Sequence, residues 1–337
     1  MNRPRTTRRI FTLLWLAAAL LAALPAAAEE VRLRLGSAWS SRQNFTADFL
    51  RYVDAVNAAG RGVVRIDFLG GPEVIPEQQM LYALRRGAID MVFGGMTYFL
   101  GQLPEGDAIY GATISPEQAR VSGALDALQP YWASRANARL IGWVQTGIGS
   151  QVFLREAPPL RADGLPDLDG LLIRTSPSHR EFVKSLGGRP VQIPLSEVYT
   201  ALERGLVQGF AFTSIGVPDL GVNRFIRSRI DPPVQRLAMC LQINLDAWAR
   251  LAPEGRALLV SEAIRYERGN RERFARLEAE EAAALEAAGV RALVLPPAQR
   301  EAWERLALES TWNRFAKRAP ASAAKLKPLF WPEGTGN

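Results

Sequence analysis

Two α/β lobes joined by crossing strands and bridged by a long helix are what this sequence predicts, and three stretches lead there. Residues 31–93 alternate between strand and helix patterns, residues 171–212 repeat that alternation, and residues 253–288 hold one helical pattern rich in Glu, Arg and Ala. Period-two alternation of apolar residues marks half-buried strands, and a period near 3.6 marks helices. Strands alternating with helices in one chain build sheets covered by helices.

In the first stretch Val31, Leu33 and Leu35 alternate with Arg32 and Arg34 as a strand, and Phe45, Phe49, Val53 and Val56 keep helical spacing. Val64, Ile66 and Phe68 alternate again and close a strand-helix-strand unit. The break Gly70-Gly71-Pro72 precedes a helix from Pro76 to Arg86 that Gly87 stops. Ile89 to Phe93 then reads as a buried strand. In the second stretch Leu171 to Arg174 is a strand, Ser178 to Leu186 a helix ended by Gly187, and Val191 to Ile193 a strand. Ser196 is placed to cap a helix to Arg204, because its hydroxyl oxygen can accept from an orphan backbone N–H, and Leu206 to Phe212 returns as a strand. Leu258, Ala263, Tyr266, Phe274 and Leu277 space the long helix, Ala292 to Leu295 gives a short strand, and a last helix runs from Ala298 to Arg318. Residues 321–337, rich in Pro and Gly, are expected to form a loose C-terminal tail.

The first residues hold Arg3, Arg5, Arg8 and Arg9 and no acid, followed by an uncharged run from Ile10 to Ala28 that ends in Ala26-Ala27-Ala28. A basic head, an apolar middle and small residues at the end make residues 1–28 a signal peptide, with cleavage before Glu29 and export to the periplasm. Thr7-Arg8-Arg9-Ile10-Phe11 suits the twin-arginine route, and Leu13 to Leu24 is apolar enough for the general secretory route. Taking those four arginines from 41 basic residues leaves 37 against 34 acidic ones, so the exported chain carries +3 rather than +7. That balance gives a nucleic-acid partner no support. Cys240 is the only cysteine, so no intrachain disulfide forms and no lipid anchor attaches at the cleavage site. Within the apolar run Leu237 to Ile243 it reads as a buried small hydrophobe. The exported chain is expected to be a soluble monomer.

Catalytic motifs are scarce. His179 is the only histidine, so a site of several imidazoles is impossible and any Ser/His/Asp triad rests on this one residue. Placed at a helix start after Ser176-Pro177-Ser178, it reads as an exposed first-turn side chain. Gly147-Ile148-Gly149 lacks the third glycine of a dinucleotide fingerprint, Val152 standing in its place. Asp163, Asp167 and Asp169 sit among Gly164, Pro166 and Gly170 and read as a solvated loop rather than an acid/base pair. No cofactor and no metal is expected.

Three groups of residues carry a family resemblance. Asp167 to Arg174 reads Asp-Leu-Asp-Gly-Leu-Leu-Ile-Arg, followed by the break Leu186-Gly187-Gly188-Arg189-Pro190-Val191 and the run Ser196-Glu197-Val198-Tyr199-Thr200-Ala201-Leu202-Glu203-Arg204-Gly205. Ala83-Leu84-Arg85-Arg86-Gly87-Ala88-Ile89-Asp90-Met91 and Asn244-Leu245-Asp246-Ala247-Trp248, followed by Leu251 and Pro253, support it. Over nearly the whole exported chain the sequence resembles the solute receptors of tripartite ATP-independent periplasmic (TRAP-type, DctP-like) transporters. The resemblance implies a two-lobed, periplasmic-binding-protein-like α/β fold with hinge strands and a lobe-spanning helix. It also implies no enzymatic activity, a small organic acid bound between the lobes, and delivery of that acid to TRAP permease subunits in the membrane. Residues 29–148 with 237–275 are expected to form lobe I, and 149–236 with 276–320 lobe II. Two other readings stay open: a receptor feeding a sensor system and, in a different class, an exported hydrolase.

The resemblance assigns the ligand carboxylate to Arg174, whose guanidinium offers a planar fork of donors beside a helix N-terminus. Sialic-acid receptors of the family carry a second arginine where Ser150 or Gln151 falls here, so both join the candidate set. Some members hold a metal through a glutamate where this chain has Ala211, followed by Phe212; alanine ligates nothing, so a metal-bridged ligand is not expected. Phe212, with Trp39 and Phe93 from the other lobe, is expected either to wall the ligand or to fill the interlobe core. Asn244 and Asp246 are expected to cap a helix near Ala247.

Overall fold

The computed structural model describes residues 30–332. The expected signal peptide, and residues 333–337 of the expected tail, lie outside the described residues. The strands are β1 Val31–Ser37, β2 Val64–Gly70, β3 Met91–Gly95, β4 Ala138–Gln145, β5 Ser150–Leu154, β6 Leu172–Thr175, β7 Arg189–Gln192, β8 Gly209–Thr213, β9 Ser228–Asp231, β10 Met239–Asn244 and β11 Arg291–Val294. They form two sheets, one of order β2-β1-β3-β10-β4 and one of order β11-β9-β5-β8-β6-β7. The chain crosses between them twice along strands, from β4 into β5 and from β9 into β10.

Each sheet is built around parallel strand-helix-strand units. In lobe I, β1 runs parallel to both β2 and β3. In lobe II, β6 runs parallel to both β7 and β8. The central strands β3, β8 and β10 are buried along their whole length. That is why they read as continuous apolar runs: a sheet with both faces covered has no solvent face to alternate toward. Around the sheets lie α1 Asn44–Ala59, α2 Met80–Arg85, α3 Asp107–Tyr110, α4 Pro116–Val121, α5 Ala124–Ala136, α6 Arg180–Ser185, α7 Val198–Glu203, α8 Leu245–Arg250, α9 Pro253–Ala287, α10 Pro297–Arg318 and α11 Pro320–Phe330. Side chains on alternate positions of each sheet enter separate apolar clusters, so Val92 and Cys240 face one cluster while Phe93 and Leu241 face the other. Asn244 caps α8, its side-chain oxygen accepting from the backbone N–H groups of Asp246 and Ala247. Ser196 falls instead in a single tight turn, Leu195–Glu197, and no side chain caps α7.

Helix α9 holds both lobes. Its 35 residues span about 50 Å at 1.5 Å per residue. Toward lobe I, Glu267 takes two hydrogen bonds from Arg120, at 2.9 and 2.5 Å, and Arg273 pairs with Asp48 at 2.8 and 2.9 Å. Toward lobe II, Arg229 donates to the Ala282 carbonyl at 3.1 Å and to Glu286 at 2.9 Å. Glu281 binds one group from each side, accepting from Asn44 of lobe I at 3.2 Å and from the Gly216 N–H of lobe II at 2.6 Å.

Two expectations about the C-terminal region need correcting. Residues 276–320 do not belong to lobe II alone: on α10, Trp303 and Ala307 pack into the lobe II core, whereas Trp312 and Phe315 pack into lobe I. Residues 321–330 are not a loose tail, because Pro320–Phe330 is a helix. Proline suits its first turn, where the missing N–H has no intrahelical partner. Ala323, Leu326 and Phe330 then form one apolar stripe buried against lobe I, and the Phe330 carbonyl accepts from the Thr113 N–H at 2.9 Å. The proline and glycine content of residues 321–337 hid that stripe.

Helix α10 is locked across the lobes by Arg314. Its guanidinium grips Asp107 of lobe I at 3.0 and 2.6 Å and donates to the Ser178 carbonyl of lobe II at 2.5 Å. Asp107 is fully buried and Arg314 nearly so. Removing one partner of a buried pair leaves the other charge stranded, which costs about 3 to 5 kcal/mol. Urea unfolding of Asp107→Ala is expected to show that loss, with most of it recovered in the double variant Asp107→Leu/Arg314→Met. A single-variant loss below about 1 kcal/mol would show that the pair does not hold α10 in place.

Candidate ligand-binding cleft

Arg174 is the penultimate residue of strand β6, where pairing to β7 on one side and β8 on the other fixes the backbone. Its side chain is 5% exposed. The Nε donates to the Ile193 carbonyl at 2.9 Å. No carboxylate lies within ion-pair range of it among the described residues. Burial pulls the guanidinium below its ordinary pKa, with Tyr98 acting in the opposite sense. Arginine nevertheless remains charged at any physiological pH. The result is a buried cation lacking an internal counter-ion.

Two hollows meet at this residue. An open cleft of about 860 Å³ runs outward between α6, the Gln192–Leu195 loop and the last turn of α10. Its wall is basic, with Arg180, Lys184, Lys317 and Arg318 set against Glu77 and Glu181. A smaller compartment of about 40 Å³ lies inward. Thr97, Tyr98, Arg174, Ser176 and Leu195 line both hollows, so the guanidinium stands at their junction.

The expected residues divide between the compartment and the packing behind it. Trp39 and Phe212 line the inner compartment from opposite lobes, with Phe45 and Leu237 beside them. Phe93 lines neither hollow: it is fully buried and lies flat on Phe49, ring centroids 3.9 Å apart, in the core of lobe I. Gln151 is turned to structure, its amide donating to Asp231. Ser150 sits behind the wall and bonds His179 Nε2 at 2.8 Å.

His179 is where the sequence reading went wrong. It is 6% exposed and lines the inner compartment rather than facing solvent. The Ser176-Pro177-Ser178 turn folds inward, so Ser176 Oγ meets His179 Nδ1 at 2.9 Å and Ser178 reaches across to lobe I. Burial lowers the imidazole pKa to about 3, helped by the nearby positive charges of Arg174 and Arg314, so the ring is neutral.

Sequence reasoning also missed Thr97, Tyr98, Tyr110 and Ser178. Thr97 Oγ1 donates to Ser178 Oγ at 3.1 Å and accepts from the Ser178 N–H at 3.3 Å, a direct bond between the lobes. The Thr97 N–H donates to Tyr110 Oη at 3.2 Å. Burial pushes the Tyr98 hydroxyl up to about 12, against the pull of Arg174. One signal was available: Thr97 and Tyr98 directly follow the carboxyl end of β3, where α/β sheets collect their ligand sites.

Comparison with known proteins places this geometry. The family described as "Bacterial extracellular solute-binding protein, family 7" (DctP) matches residues 159–318. Among curated relatives, an uncharacterised protein of Haemophilus influenzae is 26% identical over 178 residues, covering 52% of this chain and 54% of its own. A monocarboxylate 2-oxoacid-binding periplasmic protein of a Nostoc species is 24% identical over 238 residues, covering 66% of this chain and 63% of its own. The matched stretches therefore span between half and two thirds of those relatives. Among solved structures, a Bordetella pertussis extracytoplasmic solute receptor binding pyroglutamic acid superposes with a TM-score of 0.72 at 16% identity, covering 89% of this chain and 99% of that one. A TRAP periplasmic solute-binding protein of Desulfovibrio salexigens with bound orotic acid gives 0.76 at 18% identity, covering 89% and 97%. An apo, open TRAP solute-binding protein of Marinobacter aquaeolei gives 0.76 at 19%, covering 89% and 99%. The chain thus matches the DctP family of extracellular solute-binding proteins in sequence over residues 159–318, and it has the fold of TRAP periplasmic solute-binding proteins over 89% of its length.

Proposed function

We propose that this protein is the periplasmic receptor of a TRAP transporter, binding a small organic acid between its lobes and passing it, as a monomer, to permease subunits in the membrane. One observation carries the reading: Arg174 is a buried guanidinium at the junction of the interlobe hollows, with a backbone carbonyl as its hydrogen-bond partner and no acidic one among the described residues. A ligand carboxylate supplies the missing charge. Most solved relatives named above were found with acids, which supports the assignment of that charge to a carboxylate.

An exported hydrolase fits the same residues less well. Ser150 and His179 are within hydrogen-bond distance, as a nucleophile and its base would be. The other ring nitrogen, however, meets Ser176 rather than a carboxylate. A triad needs an acid there to orient the ring and to stabilise the imidazolium. An imidazole whose pKa lies near 3 is also a weak base at neutral pH.

Binding by calorimetry tests the anchor, after a thermal-shift screen of organic acids, since a ligand bound only to the native state raises its midpoint. Arg174→Ala is expected to weaken binding by two to four decades, about 3 to 5 kcal/mol. Arg174→Lys should lose less, because it keeps the charge but not the two-pronged geometry. Arg189→Ala, at an exposed position on β7, should bind as wild type. Binding of folded Arg174→Ala within a factor of about three of wild type would contradict the assignment.

The neutral imidazole makes a separate prediction about pH. A histidine whose folded pKa is lowered from 6.5 to about 3 gains its proton on unfolding anywhere between those values. The unfolded state then binds more protons, so this contribution to stability falls as pH drops below 6.5. Chemical denaturation of wild type and His179→Gln from pH 7 to pH 4 should show the gap between them narrowing as pH falls. A gap independent of pH would mean that the ring titrates in the folded protein as it does in the unfolded chain.

A further inference from the structure

The hydroxyl groups around the inner compartment form one continuous chain, and its direction says what kind of acid fits. Thr97 Oγ1 meets Ser178 Oγ at 3.1 Å, Ser178 Oγ meets Ser176 Oγ at 3.0 Å, and Ser176 Oγ meets His179 Nδ1 at 2.9 Å. His179 Nε2 then meets Ser150 Oγ at 2.8 Å, and Ser150 Oγ reaches the Gln235 carbonyl at 3.5 Å. A hydroxyl has one proton to give, and a neutral imidazole has one N–H and one bare nitrogen. The Gln235 carbonyl can only accept, so Ser150 donates to it and takes the Nε2 proton. Nδ1 is then bare and accepts from Ser176, Ser176 accepts from Ser178, and Ser178 accepts from Thr97. In this direction every proton in the chain has an acceptor. Reversed, the Gln235 carbonyl loses its donor and the Thr97 proton has no partner among the described residues, a cost for each buried group left unmet.

The consequence is a compartment with two unlike walls. The protons of Ser176 and Ser178 are committed within lobe II, so those two oxygens offer only lone pairs. Across from them Tyr98 and Tyr110 line the compartment with hydroxyl protons that have no acceptor among the described residues. A hydroxyl group answers both walls, donating to a serine and accepting from a phenol. A keto oxygen answers only the phenols and sets its lone pairs against those of the serines. We propose that the cleft selects organic acids carrying a hydroxyl beside the carboxylate over their 2-oxo counterparts, with Ser176 and Ser178 as the acceptors that discriminate.

This inference rests on the receptor reading, with the carboxylate at Arg174. The test is calorimetry on the full exported chain with two matched pairs, lactate against pyruvate and mandelate against phenylglyoxylate. The hydroxy acid is expected to bind about tenfold tighter within a pair, the usual scale for one unmet polar contact in a buried site. In Ser176→Ala the Ser178 hydroxyl loses its acceptor and can turn to donate into the compartment. The 2-oxo acid should gain there, and the preference should shrink to about threefold or less. Equal or tighter binding of the 2-oxo acids to wild type overturns the proposal without any variant. A preference unchanged in folded Ser176→Ala overturns it too, as does failure of all four acids to bind. The receptor reading itself falls only if a broad carboxylate screen is also empty.

Discussion

A guanidinium held out of water with only a carbonyl for company constrains everything around it. Moving a charge into a protein interior costs several kcal/mol even after relaxation, and Arg174 meets no acid among the described residues to offset that cost. The protein tolerates it because the surroundings are fixed by other means. Ladder bonds hold the β6 backbone on both sides, and the Ile193 carbonyl orients Nε. The remaining guanidinium donors are left for a ligand. That unmet charge is the one the proposed carboxylate would answer.

The lobes have to stay rigid for that charge to be placed and yet have to part for a ligand to enter. Packing on both faces of each sheet provides the rigidity, and the two strand crossings with helices α9 and α10 provide the connection. Contacts between lobes differ in kind along this connection. The Arg314 and Asp107 pair is charged, buried and two-pronged. At the compartment itself the lobes meet through single hydroxyl bonds between Thr97 and Ser178, which are weaker and easily exchanged for water.

Much of the fold was legible because it rests on local periodicity. Val31 to Leu35, the run Ile89 to Phe93 and the spacing from Leu258 to Leu277 each signal their element without help from the rest of the chain. Arg174 was singled out only through the family motif around it, since nothing local separates it from other arginines at strand ends. The aromatic candidates show the limit well: Trp39 and Phe212 reach the compartment while Phe93, equally apolar, stacks on Phe49. Which side of a sheet meets a cleft depends on how the two lobes face each other, and no window of sequence holds that. His179 failed for the same reason. Its polar neighbours suggested solvent, but those serines were its hydrogen-bond partners, and burial needed only that each be satisfied. The helix Pro320–Phe330 was hidden by its two prolines, one at the first residue, where a helix accepts it, and the other, Pro328, inside the helix.

The account depends on a carboxylate, rather than any other part of the ligand, meeting Arg174. The most direct measurement varies the ligand and leaves the protein untouched. Once an acid is found to bind, its primary amide keeps nearly the same size and shape but carries no charge. Calorimetry on the two is expected to show the amide binding at least a hundredfold more weakly, about 3 kcal/mol or more, because it leaves the guanidinium buried without a counter-ion. An amide that binds within about threefold of the acid would contradict the account, since the cleft would then be recognising shape and not charge.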